Sequence, residues 1–401
     1  MNSKIKQLFF EYYRDNFTID ETVIGSFRQR EYALVPFDAP DKMVRHLAFS
    51  EFSELKKYIL RNVPLHLYYS TAYYNTPQAR NMDEKGWLGA DLVFDIDVDH
   101  IPTKCKEEHD TWRCLDCNAE GKGMPPEKCP KCGSSRIDKE VWVCNKCLMV
   151  AIDETLRLVE EFLCDDFGIN RKDIAVYFSG HRGFHIHVED KRMLRLDQDA
   201  RREIVDYIKG NGIKVELFNP LPKLSEPGWR GTIAQGIYEI LSMINEGNEF
   251  IEGLTERDIK YLYEHRESII KALDDNTIGS FRMPKPLLRR LVEQIVNRKA
   301  VNIDERVTTD IKRLIRFPES LHGKTGLKVT KVDLSVITEF DPFNDATWLQ
   351  TSIKIKVIER IPKLELGSLK LDLSPGDIVI LPASIALYIA LRGKGEMVEL
   401  I

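Results

Sequence analysis

The segment Trp87 to Val98, WLGADLVFDIDV, holds aspartates spaced for metal chemistry. In a strand, residues two apart share a face. Phe94, Ile96 and Val98 then point into a core, while Val93, Asp95, Asp97 and Asp99 point the other way. Carboxylates crowded on one face repel, and aspartate is a poor strand former. A bound divalent cation is the usual offset, since Mg²⁺ takes one or two carboxylates plus substrate phosphates. Two such ions, about 3.5–4 Å apart, clamp the attacking and leaving oxygens of a phosphoryl transfer. The plain alternative is a strand with one solvated polar face, and D-x-D alone favours it. The apolar lead-in GADLVF, which suits a central strand, moves the balance toward a site.

A second concentration of chemistry is YFSGHRGFHIHV. Gly180 and Gly183 admit positive φ and close backbone approach to a ligand. Ser179 offers a hydroxyl and Arg182 a guanidinium suited to phosphate oxygens. His185 and His187 share one face of the strand that follows. Together these would cradle a triphosphate; the alternative is a tight hairpin with solvated basic residues. A third stretch, NIDERVTTDIKRLIRFPESLHGKTGL, carries Asp304, Arg313, Arg316, His322 and Lys324. Its Asp310, Lys312 and Arg313 lie in a short helical pattern that Pro318 should end. Asp310 and Lys312 read as solvated charges, while Arg316 and His322 are candidate phosphate contacts.

Seven of the eight cysteines fall between Cys105 and Cys147. Without a secretory signal, repeated C-x-x-C spacing reads as metal ligation rather than disulfides. The local partition makes a ribbon of Cys114, Cys117, Cys129 and Cys132 around one Zn²⁺. Cys144 and Cys147 then need two upstream partners, and Cys105 with His109 are at hand. The nested reading is thus an inner ribbon inside an outer knuckle, one or two zincs in all. Closed four-ligand sites are structural rather than catalytic. Cys164, in EEFLCDDFG, reads as a small buried core residue.

The elements that must position these groups follow from hydrophobic patterning. The first forty residues look helical. Strands are expected at Val44–Phe49, His66–Tyr69, Trp87–Val98, Ile174–Phe178 and Phe184–Val188. Others are expected near Lys328–Val332, Ser352–Glu359 and Asp377–Leu381, and a helix over Ala151–Phe162. Residues 197–298 show helical periodicity, as in GIYEILSMINEG and PLLRRLVEQIVNR. The division is a catalytic core at 1–196 and 299–401, a zinc-binding insertion at 101–148 and a helical subdomain at 197–298.

At 401 residues, 43% hydrophobic and 30% charged, the chain has the composition of an ordinary globular protein. Its net charge of −5 is neutral on nucleic-acid partners, because carboxylate sites lower the total and local patches are hidden in it. No signal peptide is expected, and the longest apolar run, Ile378–Leu391, is too short to span a bilayer. That run reads as a strand followed by a buried helix.

Taken in order, WLGADLVFDID, the Ser-Gly-His-Arg-Gly-Phe-His run and IDERVTTDIKRLIRFPESLHGKTG resemble the small catalytic subunit of archaeal and eukaryotic-type DNA primases. Weaker echoes are YYRDNF, Arg30-Glu31-Tyr32 and the VRHLAF strand. The resemblance implies an α/β (α+β), mixed-sheet catalytic core. It implies a Mg²⁺ or Mn²⁺ triad of Asp95, Asp97 and Asp304. It maps Arg45, Ser179, Arg182, His185, Arg316 and His322 to nucleotide binding, leaves Asp99 without a role, and supports the outer zinc set. His181 stands where some members have Arg. The implied reaction is two-metal nucleotidyl transfer from NTPs or dNTPs, making primers on single-stranded DNA with a large primase subunit as partner. The implied location is the cytoplasm, at the nucleoid of an archaeal source. A repair or primer-extending polymerase of the same superfamily is a second reading. A non-catalytic zinc-ribbon protein binding nucleic acid is a third. A metal-dependent nuclease would share the carboxylates but would not need a triphosphate cradle.

Overall fold

The computed structural model describes residues 3–19, 24–244, 251–278 and 280–401. The end of the GIYEILSMINEG pattern, from residue 245, lies outside the described residues. Eight strands carry the candidate groups: β1 (Tyr32–Pro36), β2 (Val44–Leu47), β3 (Pro64–Ser70), β4 (Leu92–Asp97), β5 (Ile174–Phe178), β6 (Gly183–Val188), β7 (Leu314–Arg316) and β8 (Thr330–Val332). They form two sheets, ordered β7-β3-β1-β2 and β8-β5-β6-β4. The chain is an α+β protein. The mixed sheet expected from sequence is refined, because every pairing among the described residues is antiparallel.

The chain divides into two compact units. One comprises residues 1–155, 172–201 and 303–401, and the other 156–171 and 202–302. The first holds both sheets, the cysteine-rich segment and a C-terminal three-stranded sheet. The second has helices and no strand among its described residues, with helices including Gly228–Met243, Glu256–Glu264 and Lys285–Lys299. Residues 378–391 form a strand, Ile378–Pro382, and then a largely buried helix, Ala383–Leu391. No described helix is long and apolar enough to cross a membrane.

Strand β4 follows the alternation of its sequence. Phe94, Ile96 and Val98 are fully buried, while Asp95 and Asp97 are partly exposed. Each such apolar burial contributes roughly 1.5–3 kcal/mol, which anchors the strand despite its charged face. WLGADLVFDIDV is two strands rather than one, because Asp91 interrupts it. Trp87–Ala90 pairs with Ala72–Tyr74, and β4 pairs with β6. The Asp91 carboxylate accepts from Arg30 Nη2 and from the Tyr73 hydroxyl, each at 2.6 Å, and its N–H donates to the Thr71 carbonyl. A buried ion pair and two further hydrogen bonds decide the break, and none is visible in the hydrophobic pattern.

Two other expectations need correction. The first forty residues are not all helical: helix Ser3–Asp15 gives way to β1, whose Tyr32, Ala33 and Leu34 are fully buried. The helical pattern around Asp310 to Arg313 is also displaced. The helix is Glu305–Thr309, capped by the Asp304 side chain on Arg306 N–H, and Leu314–Arg316 pairs with β3 as a strand. Arg316 is therefore presented by a sheet.

His187, on β6, lies buried between Tyr69 and Tyr177, its ring parallel to the first and edge-on to the second. Burial, partly offset by Asp91, pushes its pKa down to about 4 from 6.5. Between those values the unfolded chain takes up a proton that the folded chain refuses. Stability is therefore complete above pH 6.5 and falls as pH drops through 4, by roughly 3 kcal/mol for this group. Denaturant unfolding of wild type and His187→Gln at pH 7 and pH 4.5 should show the wild type losing about 2–3 kcal/mol more on acidification. An equal loss in both proteins would remove His187 from the acid response.

Candidate active site and metal clusters

The three aspartates converge on one end of β4. Asp95 and Asp97 line a cavity of about 280 Å³ together with Tyr68, Ser179, His181, His185, Arg313, Arg316 and His322. Asp304 joins by backbone, its N–H donating to the Asp95 carbonyl at 2.9 Å. Burial, reinforced by Asp97 and Asp304, pushes the Asp95 pKa up to about 8. Arg313 and Arg316 oppose the shift without cancelling it. The three carboxylates are a looser set than the cysteine clusters described below.

Across the ladder His185 pairs with Asp95, and its Nε2 lies 3.7 Å from Asp95 Oδ1. The glycine turn closes over this end of the strand. Gly183 opposes Asp97, and a side chain there would strike the Ile96 carbonyl oxygen, its Cβ only 2.0 Å away. Gly180 has φ +79°, and its missing Cβ leaves room for His322. His181 and His322 stack at 4.9 Å between centroids. The pKa values of His181, His185 and His322 all lie well below the usual value, first through burial and then through neighbouring positive or imidazole groups. Arg316, partly exposed, projects from β7 over the Tyr68 ring, with no carboxylate in ion-pair range among the described residues. The cavity thus brings two carboxylates together with neutral imidazoles and arginines.

This arrangement has relatives. A family model described as DNA primase small subunit matches residues 133–334. The chain is 31% identical to a protein named DNA primase small subunit PriS from Thermoplasma volcanium, over 98% of this chain and 97% of that one. It is 32% identical to the protein of that name from Methanococcoides burtonii, over 98% and 97%. For that from Saccharolobus solfataricus the figures are 34%, 92% and 88%. The chain belongs to the DNA primase small-subunit family.

Two residues that the family pattern maps to the nucleotide stand elsewhere. Arg182 is buried and does not line the cavity. Its guanidinium pairs with Asp99, lies 3.7 Å from Asp110, and donates to the Trp142 carbonyl at 3.1 Å. Asp99, left without a role by the sequence, receives both Arg182 and Lys139. Arg45 pairs with the buried Glu31 at 3.2 Å and is likewise absent from the cavity wall. Residues the sequence reading did not single out include Tyr68, a wall of the cavity, and Lys106, whose ammonium donates to the carbonyls of Val98 and Ile101. Alternation on β3 is the signal that could have found Tyr68, since Leu67 and Tyr69 are buried and Tyr68 faces the other way.

The loop carrying His322 rests on the first helix. Tyr12 donates its hydroxyl hydrogen to the Glu319 carbonyl, and the Tyr13 hydroxyl accepts from Leu321 N–H at 3.2 Å. The YYRDNF echo therefore supports the cavity from behind.

Cysteines and His109 form two sets of four, each with ligand atoms within 4.8 Å of one another. Cys105, His109, Cys144 and Cys147 are all buried; Cys114, Cys117, Cys129 and Cys132 range from buried to exposed. Sulfur separations of 3.4 Å (Cys105–Cys147) and 3.6 Å (Cys114–Cys132, Cys117–Cys129) are near the edge of a tetrahedron with metal–sulfur bonds of about 2.3 Å. His109 turns Nε2 toward Cys147, and its Nδ1 meets Asp110 at 2.7 Å, the carboxylate–imidazole arrangement that orients a metal ligand. Cys164 is free and half-buried rather than fully in a core. Elemental analysis of the purified chain should give two tightly held thiophilic metal ions. Cys105→Ser with Cys144→Ser should remove one, and Cys117→Ser with Cys132→Ser the other. A wild-type ratio near one would leave only a single working cluster.

Proposed function

We propose that the chain makes short primers on single-stranded DNA by nucleotidyl transfer from NTPs or dNTPs, as the catalytic partner of a large primase subunit. The observation that carries this reading is the meeting of Asp95, Asp97 and Asp304 beside a wall of imidazoles and arginines. Hard oxygen donors gathered in this way suit Mg²⁺ or Mn²⁺. Bound there, such ions would activate a hydroxyl and neutralise a leaving phosphate. A primer 3′-oxygen attacks the α-phosphorus of the nucleotide in line, the new P–O bond forms, and the bond to pyrophosphate breaks. Arg316, His322, His185, Ser179 and His181 take the phosphates, holding them by hydrogen bonds fixed before the substrate arrives. Arg182 acts from beneath, keeping the glycine turn and the end of β4 in register through Asp99. The two cysteine clusters suit structural Zn²⁺, whose closed four-ligand sets leave no position for substrate.

De novo synthesis on unprimed single-stranded DNA with Mg²⁺ or Mn²⁺ tests the reading. Asp95→Ala, Asp97→Ala or Asp304→Ala should each lower the rate by on the order of 10³-fold or more. Full activity in the Asp95→Ala, Asp97→Ala double variant would refute the site. Extension of a supplied primer without de novo product would instead favour a primer-extending polymerase. Binding can also be followed without turnover. A ligand at 100 times its dissociation constant stabilises a fold by about 2.7 kcal/mol. Millimolar Mn²⁺ should therefore raise the wild-type melting temperature by several degrees, and Asp95→Asn with Asp97→Asn should abolish the increment.

A further inference from the structure

We propose that His66 is a positioning residue for the nucleotide, acting through Arg316 and His322; this rests on the proposed nucleotidyl-transfer site. No sequence motif points to His66. It sits on β3, where Leu65, Leu67 and Tyr69 are buried in the core and His66 faces the opposite side with Tyr68. Arg316 Nη1 donates to His66 Nδ1 at 2.7 Å, and the Gly323 N–H donates to the same nitrogen at 3.2 Å. One acceptor atom therefore ties β7 to the loop that carries His322. The His66 ring also meets the His322 ring edge-on, with centroids 4.9 Å apart. The loop can lie this close because residue 323 is glycine: a Cβ there would come within 2.9 Å of Leu65 and 3.0 Å of His66 Cε1.

The tautomer follows from the donors. Both neighbours bring hydrogens to Nδ1, so that atom keeps its lone pair and the ring proton is on Nε2. Arg316 then has its direction fixed by a neutral acceptor. With its charge uncompensated by any carboxylate in ion-pair range among the described residues, it remains available to an anion. An ion pair in the place of His66 would hold the arginine equally well but would compete with phosphate. A neutral acceptor orients without competing.

The test compares His66→Asn, His66→Gln and His66→Ala in the full chain. The Oδ1 of asparagine can take the place of Nδ1, whereas the longer glutamine places its oxygen near the Nε2 position. Binding of α,β-methylene-ATP with Mn²⁺ and the steady-state constants for primer synthesis are measured together. His66→Ala and His66→Gln should weaken analogue binding and raise KM about 10- to 100-fold, the effect of losing a hydrogen bond to a charged group, with kcat within about threefold. His66→Asn should recover most of the affinity. Arg316→Ala combined with His66→Ala should cost less than the product of the two single effects. The proposal is overturned if Asn and Gln behave alike, if KM stays at the wild-type value, or if the two substitutions act independently. Should Asp95→Ala leave synthesis intact, the nucleotidyl-transfer site itself fails and takes this role with it. Full loss of synthesis in Asp95→Ala with unchanged binding in His66→Ala rejects His66 alone.

Discussion

Three carboxylates drawn to one end of a strand repel one another, and the surrounding architecture is built to hold them there. Asp95 and Asp97 cannot separate, because Phe94, Ile96 and Val98 fix the face on which they lie. Asp304 cannot withdraw, because its N–H is bonded to the Asp95 carbonyl and its side chain caps the helix that follows. Burial, with repulsion from Asp97 and Asp304 added to it, raises the proton affinity of Asp95. The antiparallel partner β6 contributes to the same arrangement, setting His185 opposite Asp95 and Gly183 opposite Asp97.

A buried guanidinium connects this strand to the cysteine-rich segment. Arg182 touches Asp99 at the end of β4, Asp110 and the Trp142 carbonyl. Asp110 in turn orients His109 and accepts from Trp142 N–H at 2.8 Å. A ligand of the outer cluster and the glycine turn thus share one carboxylate neighbour. Buried charges of this kind are costly to break singly, since the partner left behind has no water to turn to. Lys106, donating to Val98 and Ile101 carbonyls, adds a second fastening between strand end and insertion. The outer cluster therefore bears on the active-site geometry although its ligand set is closed, whereas the segment that carries the inner ribbon meets Asp99 through Lys139.

What could be read from sequence was what depends on local alternation and spacing. The face of β4, the glycine turn and both cysteine sets are periodic features, and periodicity survives without tertiary knowledge. What could not be read depends on contacts between distant segments. Asp91 breaks a long apolar run because Arg30, sixty-one positions earlier, reaches it. Arg316 is on a strand because β3 offers an edge, although its own neighbourhood looks helical. Arg182 was read as a phosphate ligand by its place in the turn; the carboxylates that claim it come from positions 99 and 110. His66 carries no motif at all, and its importance rests on two donors from residues 316 and 323.

The imidazoles that line the cavity with the carboxylates have a physical reason. A cradle for a triphosphate made wholly of arginine and lysine would, when empty, repeat on the positive side the repulsion already present among the aspartates. Imidazoles avoid this. His181, His185 and His322 are held neutral, first by burial and then by nearby positive or imidazole groups, yet each retains an N–H that can be donated to phosphate. The His181 Nε2 and His185 Nδ1 have no hydrogen-bond partner among the described residues and are shielded from solvent, so the desolvation of each is not offset. Neutral imidazoles beside Asp95 and Asp97 let one small cavity hold both with less mutual repulsion than an all-cationic lining would bring.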